Sequence, residues 1–179
     1  MFSARNFVEK NERKITLLAR FLVAFNLLAL PMYAVILSGT QLPILQSIVA
    51  SIVDAVLNAM SYSTSLSGMV IRVASPVAVD VAIDADCTGW KSMYAYAALV
   101  LATPLAMGWR KRTKLVVIGM SALFVLNIAR IVSTVAAASV FGVAVLDVVH
   151  TVLWREGMII AVVLLWFAVV RKFKKSSQS

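Results

Sequence analysis

The sequence contains one cysteine and one histidine in 179 residues, and only 8 acidic residues stand against 17 basic ones. With a single cysteine the chain forms no internal disulfide, so a thiol on the oxidising side of a membrane would stay reduced and reactive. A cleavable signal peptide is not indicated, because the charged leader runs to Arg20 and no small-residue cleavage pattern follows it. No internal repeat is visible, and no metal ion or other cofactor is expected.

Charged residues make up only 14% of the chain, whereas apolar residues make up 61%. A soluble domain of this length is nearer half apolar, so the excess predicts contact with lipid. The formal charge of +9 does not indicate nucleic-acid binding. The basic residues stand beside hydrophobic runs, without interleaved aromatic residues and without a soluble basic face. The composition therefore predicts a single membrane domain over residues 1–179 and no nucleic-acid partner.

Four apolar stretches are long enough to cross a bilayer core, which takes about 20 residues. They cover approximately residues 15–37, 88–109, 115–137 and 151–170. A fifth apolar stretch, residues 43–60, differs because its polar residues recur at helical spacing and form one stripe. We predict an amphipathic helix there, lying in the membrane interface. The polar stripe consists of Ser47, Ser51, Asp54, Asn58 and Ser61.

Residues 67–86 show a different periodicity. Apolar and small or acidic residues alternate between Val77 and Asp84, after a Ser75-Pro76 turn. Alternation of period two predicts a small β-hairpin, with residues 69–73 as its first strand. The predicted fold is therefore an all-α polytopic membrane bundle of about four spanning helices and one interfacial helix, with a small extracytoplasmic β-hairpin.

The charges predict an orientation in the cell membrane. Most basic residues fall in the segments 5–20, 110–114 and 171–175, which the positive-inside rule places in the cytoplasm. Both termini are then cytoplasmic, and the chain crosses the membrane an odd number of times between residues 14 and 88. One crossing plus an interfacial helix at residues 43–60 satisfies this condition, whereas two crossings do not.

Helical rise brings three chemically distinctive residues to one depth. Counted at about 1.5 Å per residue from the nearest basic cluster, Cys87, Arg130 and His150 lie roughly 35, 24 and 32 Å away, respectively. All three therefore reach the outer boundary of the bilayer. Each also has a purely structural interpretation: a small buried apolar side chain for the cysteine, an arginine that snorkels to headgroups, and a histidine that caps its helix.

Neighbouring polar residues favour a site over these structural interpretations. Asn127 lies one helical turn before Arg130 and indicates a polar lining. Asp147 either orients the nearby histidine or shares a helix cap with it. Lys91, one turn after Cys87, either stabilises a thiolate or anchors the helix at the interface. A helix N-terminus next to the cysteine is expected to lower the pKa of its thiol.

These segments resemble the exosortase/archaeosortase family of membrane transpeptidases. The matching residues are Asp-Cys-Thr-Gly-Trp at 86–90, Asn-Ile-Ala-Arg-Ile at 127–131, and the helix that opens at His150. The resemblance covers roughly residues 67–166. It implies that Cys87 is the nucleophile, that Arg130 stabilises charge electrostatically, and that His150 is the acid and base.

The resemblance also implies a substrate and an acceptor. Family members act on exported proteins whose C-terminal sorting signal consists of a short motif, a hydrophobic helix and a basic tail. Cleavage on the outer face is followed by transfer to a membrane lipid or an envelope acceptor. The leading hypothesis is therefore a membrane-embedded cysteine transpeptidase or protease. The alternative is a non-catalytic membrane assembly factor or a small transporter subunit, which would not account for the shared depth of the three residues.

Overall fold

The computed structural model describes residues 4–74, 78–105, 107–142 and 155–176. Five α-helices and three short β-strands make up this part of the chain. The helices are α1 (Ala4–Leu37), α2 (Pro43–Ala59), α3 (Trp90–Ala102), α4 (Trp109–Phe141) and α5 (Arg155–Ser176). The strands are β1 (Thr64–Ser67), β2 (Val70–Val73) and β3 (Val79–Ala82), and a 3₁₀ turn at Asp86–Thr88 leads into α3.

Two of the described helices are long and apolar enough to cross a membrane, by length and composition: Asn11–Leu37 within α1, and α4. Helix α3 has 13 residues, or roughly 20 Å of rise, which is less than a hydrocarbon core of about 30 Å. Large apolar side chains on α1, α4 and α5 are exposed, among them Leu27, Val125 and Leu164. Such a surface is suited to lipid. The chain thus has a helical bundle with two candidate membrane helices, and four crossings stay a prediction.

Proline explains why α3 is shorter than the predicted stretch 88–109. Pro104 disfavours the helical conformation of the residue before it, and Thr103 accordingly has an extended backbone (φ −66°, ψ 126°). The guanidinium of Arg112 then satisfies carbonyl groups that the helix end leaves open. It donates to the carbonyl oxygens of Leu101, Thr103 and Leu105 at 2.9, 3.1 and 3.2 Å. The break therefore lies beside the basic cluster of α4, at the end of α3 away from Cys87.

Helix α3 lies at the centre of the bundle and contacts α1, α4 and α5. The buried side chain of Tyr96 fits against α4 only because position 119 is glycine, since a Cβ atom there would lie 2.1 Å from the tyrosine ring. Small residues let membrane helices approach in this way. Around this contact lies a buried apolar cluster of Tyr96, Val100, Leu123, Met158 and Val162.

The strands form an antiparallel sheet in the order β1-β2-β3. The pair β2·β3 occupies the segment where alternation predicts a hairpin, and β1 adds a third strand that was not predicted. Arg72 and Asp80 are directly opposite each other in this pair. Their side chains form a two-point ion pair, with both N–O distances 2.8 Å. The guanidinium holds the pKa of the Asp80 carboxyl below its usual range, chiefly by hydrogen bonding.

Helix α2 packs against both the sheet and α4. Its buried face includes Val49, Val53 and Leu57, and it shares an apolar cluster with Ile71 of β2 and Ile131 of α4. The polar stripe predicted from the sequence is largely exposed on another side of the helix. Its position in the membrane interface stays a prediction.

Two polar contacts fix α2 to the sheet. The hydroxyl of Thr64 donates to the Asp54 carboxylate at 2.5 Å, and the amide of Asn58 donates to that hydroxyl at 2.6 Å. At the other end of α2, the buried Gln46 donates from Nε2 to the carbonyl oxygen of Ile83 at 3.0 Å. Because Ile83 directly precedes the loop that carries Cys87, this end of α2 helps to position that loop.

Candidate functional site

Cys87 lies in the 3₁₀ turn between β3 and α3, and the turn is held by its own side chains. The backbone N–H of Cys87 donates to Oδ1 of Asp84 at 2.7 Å. The hydroxyl of buried Thr88 donates to the carbonyl oxygen of Ala85 at 2.7 Å. Gly89 has a left-handed backbone (φ 72°), which lets the chain turn directly into α3. The thiol therefore lies on a short turn that is held by hydrogen bonds and leads into α3.

Asn127 of α4 contacts this turn. Its side chain is fully buried, and Nδ2 donates to the carbonyl oxygen of Cys87 at 2.8 Å. A Cβ atom at position 89 would lie only 2.8 Å from Cγ of Asn127. Glycine is therefore required at position 89 for two reasons: the left-handed backbone conformation and the close approach of the Asn127 amide. The contact joins the Cys-Thr-Gly and Asn-x-x-Arg segments physically.

Arg130, one turn further along α4, is 8% exposed and shares a cavity with Cys87. The cavity has a volume of about 230 Å³ and lies between α4 and the end of β3. Its walls are mostly apolar, and the ionisable side chains that the described residues contribute to it are those of Cys87, Arg130 and Asp84. The lining residues are Val81, Ala82, Ile83, Asp84, Cys87, Arg130, Ile131, Thr134 and Val135.

A family model of transmembrane exosortases matches residues 12–170, which is most of the chain. The chain belongs to the transmembrane exosortase family. No curated protein matches it, and no solved structure does. The match extends over the Cys87 turn, over α4 with Asn127 and Arg130, and over most of the bundle that supports them.

The preferred protonation state of the Cys87 thiol in this member of the family differs from the expectation based on the sequence. Burial, followed by the side-chain hydrogen bond and the negative charge of Asp84, raises the pKa of Cys87 to about 11. A hydrogen bond from the backbone of Asp84 and the positive charge of Arg130 act in the opposite direction. The expectation of a lowered pKa assumed that α3 begins at the cysteine. Helix α3 begins at Trp90, after the left-handed Gly89, so the thiol lies in the preceding turn.

The remaining predicted residues are placed as follows. The ammonium of Lys91 forms an ion pair with Asp86 at 2.6 Å, and it does not line the cavity of Cys87. Asp147 and His150 lie outside the described residues, so of the three predicted catalytic residues the structure brings together Cys87 and Arg130. Among the described residues, no group of three His, Cys, Asp or Glu side chains is placed to hold a metal ion.

Asp84 was not predicted as a site residue, although the sequence contains a signal for it. The side chain of an aspartate at position i commonly accepts a hydrogen bond from the backbone N–H of a residue two or three positions later, which closes a turn. The spacing Asp84-x-x-Cys87 fits this pattern. The period-two alternation assigned Asp84 to the end of a strand, and so hid its contact with the thiol.

Replacing Gly89 with alanine is expected to destabilise the Cys87 turn. The left-handed backbone costs alanine about 1–2 kcal/mol, and the collision with Asn127 adds about 1–3 kcal/mol. The control is Gly68→Ala, because Gly68 also has a positive φ (63°) but open space around its Cβ position. Thermal unfolding in detergent should show a larger loss for Gly89→Ala. An equal loss in both variants, or an excess that persists in an Asn127→Ala background, would contradict the packing explanation.

Proposed function

We propose that this chain is a membrane-embedded cysteine transpeptidase that cleaves C-terminal sorting signals of exported proteins and transfers them to a lipid or envelope acceptor. Membership of the exosortase family supports the reaction class. The single observation that carries the assignment of residues is the cavity that Cys87 and Arg130 share. A nucleophile beside a fixed cation, in an apolar cavity of limited volume, is an arrangement that suits acyl transfer.

The proposed reaction proceeds through a thioester. The sulfur of Cys87 attacks the scissile carbonyl carbon while its proton passes to His150. The guanidinium of Arg130, whose planar fork offers several N–H donors and a positive charge, donates hydrogen bonds to the developing oxyanion. As the C–N bond breaks, His150 returns the proton to the leaving amine. The acceptor then loses a proton to His150 and attacks the thioester carbonyl. As the C–S bond breaks, the product is released and His150 returns the proton to the sulfur of Cys87; with water as acceptor, the same steps give hydrolysis.

The proposal places the cavity on the extracytoplasmic side and both termini in the cytoplasm. This orientation rests on the basic clusters and on the position of the sheet at the opposite end of α4. A hydrophobic signal helix would lie beside the bundle in the same membrane, with its cleavage motif at the outer mouth. The basic tail of the signal would then remain in the cytoplasm.

Cysteine labelling tests the orientation. In a Cys87→Ala background, which removes the only native thiol, Ser67→Cys adds a thiol at the exposed end of β1, and Thr113→Cys adds an exposed one within the basic cluster of α4. An impermeant maleimide should label the first variant in intact cells and the second only after permeabilisation. The reverse pattern would place the cavity in the cytoplasm and exclude an exported substrate.

The function itself is tested by co-expression with a protein that carries a sorting signal. Cys87→Ala, Arg130→Ala and His150→Ala are each compared with the unaltered chain for conversion of the precursor. If all three variants process the precursor normally, the enzymatic proposal fails, and a non-catalytic membrane role accounts better for the chain.

A further inference from the structure

The strongest observation that the proposed reaction does not use is the position of Asp84. Its side chain lines the cavity together with Cys87. Oδ1 accepts the backbone N–H of Cys87 at 2.7 Å, which fixes the carboxylate beside the thiol. A carboxylate beside a thiol can only accept its proton, and its negative charge repels a thiolate, so the Asp84 side chain favours the neutral Sγ–H. The backbone of Asp84 acts in the opposite direction, so the proposal concerns the carboxylate alone.

We propose that Asp84 is a positioning residue that holds the Cys87 side chain in the cavity as a neutral thiol in the resting protein. The inference rests on the proposed role of Cys87 as the nucleophile. Asp84 acts through Cys87 and has no part in bond making. By stabilising the protonated form, it protects an extracytoplasmic thiol from oxidation, since oxidation of cysteine follows its thiolate character. The thiolate then forms during turnover rather than before it.

The other charged groups near Cys87 do not account for a neutral thiol. On the same turn, Asp86 points away and is paired with Lys91 of α3 at 2.6 Å. From α4, the guanidinium of Arg130 lines the cavity and favours the thiolate. The part of α2 that packs near the turn contributes the neutral Gln46. Among the described residues that line the cavity, the Asp84 carboxylate is therefore the charged group that opposes ionisation of the thiol, and burial acts in the same direction.

Alkylation tests the proposal without any substrate. Cys87 is the only cysteine of the chain, so iodoacetamide reports on it alone in the purified full-length protein. The rate is measured between pH 7 and 11 for Asp84→Asn, which keeps an oxygen for the backbone N–H but removes the charge. Asp86→Asn is the matched control, because it removes the same charge one residue away from the thiol and outside the cavity. Asp84→Glu restores the charge.

Asp84→Asn is expected to move the midpoint of the pH profile to lower pH. At pH 8 we expect the thiolate fraction to be about tenfold larger in this variant. Because a more acidic thiol is also a weaker nucleophile, the alkylation rate should rise by only about three- to fivefold. Asp86→Asn should change the rate by less than twofold, and Asp84→Glu should return the midpoint toward that of the unaltered protein.

Two outcomes would overturn the proposal. One is an unchanged midpoint of the pH profile in Asp84→Asn. This holds even if the alkylation rate at the high-pH plateau rises, because a higher plateau alone reports greater access of the reagent to a loosened turn. The other is an equal shift in Asp86→Asn, which would reflect general surface charge. Neither outcome depends on catalysis. Normal processing by Cys87→Ala would refute the proposed function while leaving the alkylation result intact.

Discussion

Replacement of Cys87 by alanine is expected to abolish processing of a co-expressed substrate, with a fall in rate on the order of a thousandfold or more, as is typical when a covalent nucleophile is lost. The reason is that the other polar side chains lining the described part of the cavity are poorly suited to form an acyl intermediate. Arg130 is a cation without a free lone pair, Asp84 is a poor nucleophile toward amides, and the hydroxyl of Thr134 is a weak nucleophile whose proton is donated to the carbonyl oxygen of Arg130. The measurement is the fraction of pulse-labelled precursor that is converted with time.

Cys87→Ser is the matched variant for this prediction. The hydroxyl keeps the size of the side chain and can still donate to Asp84, so the turn should fold normally. Serine is nevertheless much less ionised and less nucleophilic than cysteine, and processing should remain blocked. In the unaltered protein, a covalent adduct with the substrate should be released by hydroxylamine, as a thioester would be. Conversion of the precursor at the normal rate by a well-folded Cys87→Ala would refute the nucleophile assignment.

The sequence predicted long apolar helices better than their ends. The stretches 15–37 and 115–137 lie inside α1 and α4, because a long apolar run favours a helix, and α1 continues through Pro31 as membrane helices can. The helix predicted over 88–109 ends early, at Ala102, because Pro104 disfavours a helical backbone at Thr103. Strand β1 was missed for a different reason. Its sequence, Thr-Ser-Leu-Ser, has little apolar alternation, and its pairing with β2 supplies the order.

Part of the candidate site could be predicted from helical rise alone. Rise per residue is a property of the backbone, so it gave Cys87 and Arg130 similar depths, and they line one cavity. It does not give the direction of a side chain or its partner. Lys91 has a suitable depth but pairs with Asp86, whereas Asp84, at the end of a strand, contacts the thiol. The protonation of Cys87 depends on such contacts and on burial, which are properties of the folded chain.

Neutralisation of Arg130 is the second change with a large expected effect. Arg130→Gln keeps a long polar side chain in the cavity but removes the charge, so the oxyanion loses its strongest donor. A loss of one such donor lowers the rate by about a hundred- to a thousandfold, or about 2.7–4 kcal/mol. The measurement is again conversion of the precursor, at equal levels of membrane-inserted protein. Near-normal processing by a folded Arg130→Gln would contradict the electrostatic role.

Arg130→Lys separates charge from geometry. Lysine keeps the positive charge but offers a point donor in place of the planar fork, so its processing rate should fall between those of Arg130→Gln and the unaltered protein. Thiol alkylation gives a readout that loss of packing would not mimic. Because the guanidinium favours the thiolate, Arg130→Gln should move the alkylation midpoint of Cys87 to higher pH, and Arg130→Lys should move it less. Asp84→Asn is expected to move it the other way. Opposite shifts from two residues of one cavity would mean that the charge of the nucleophile is set by the balance between them.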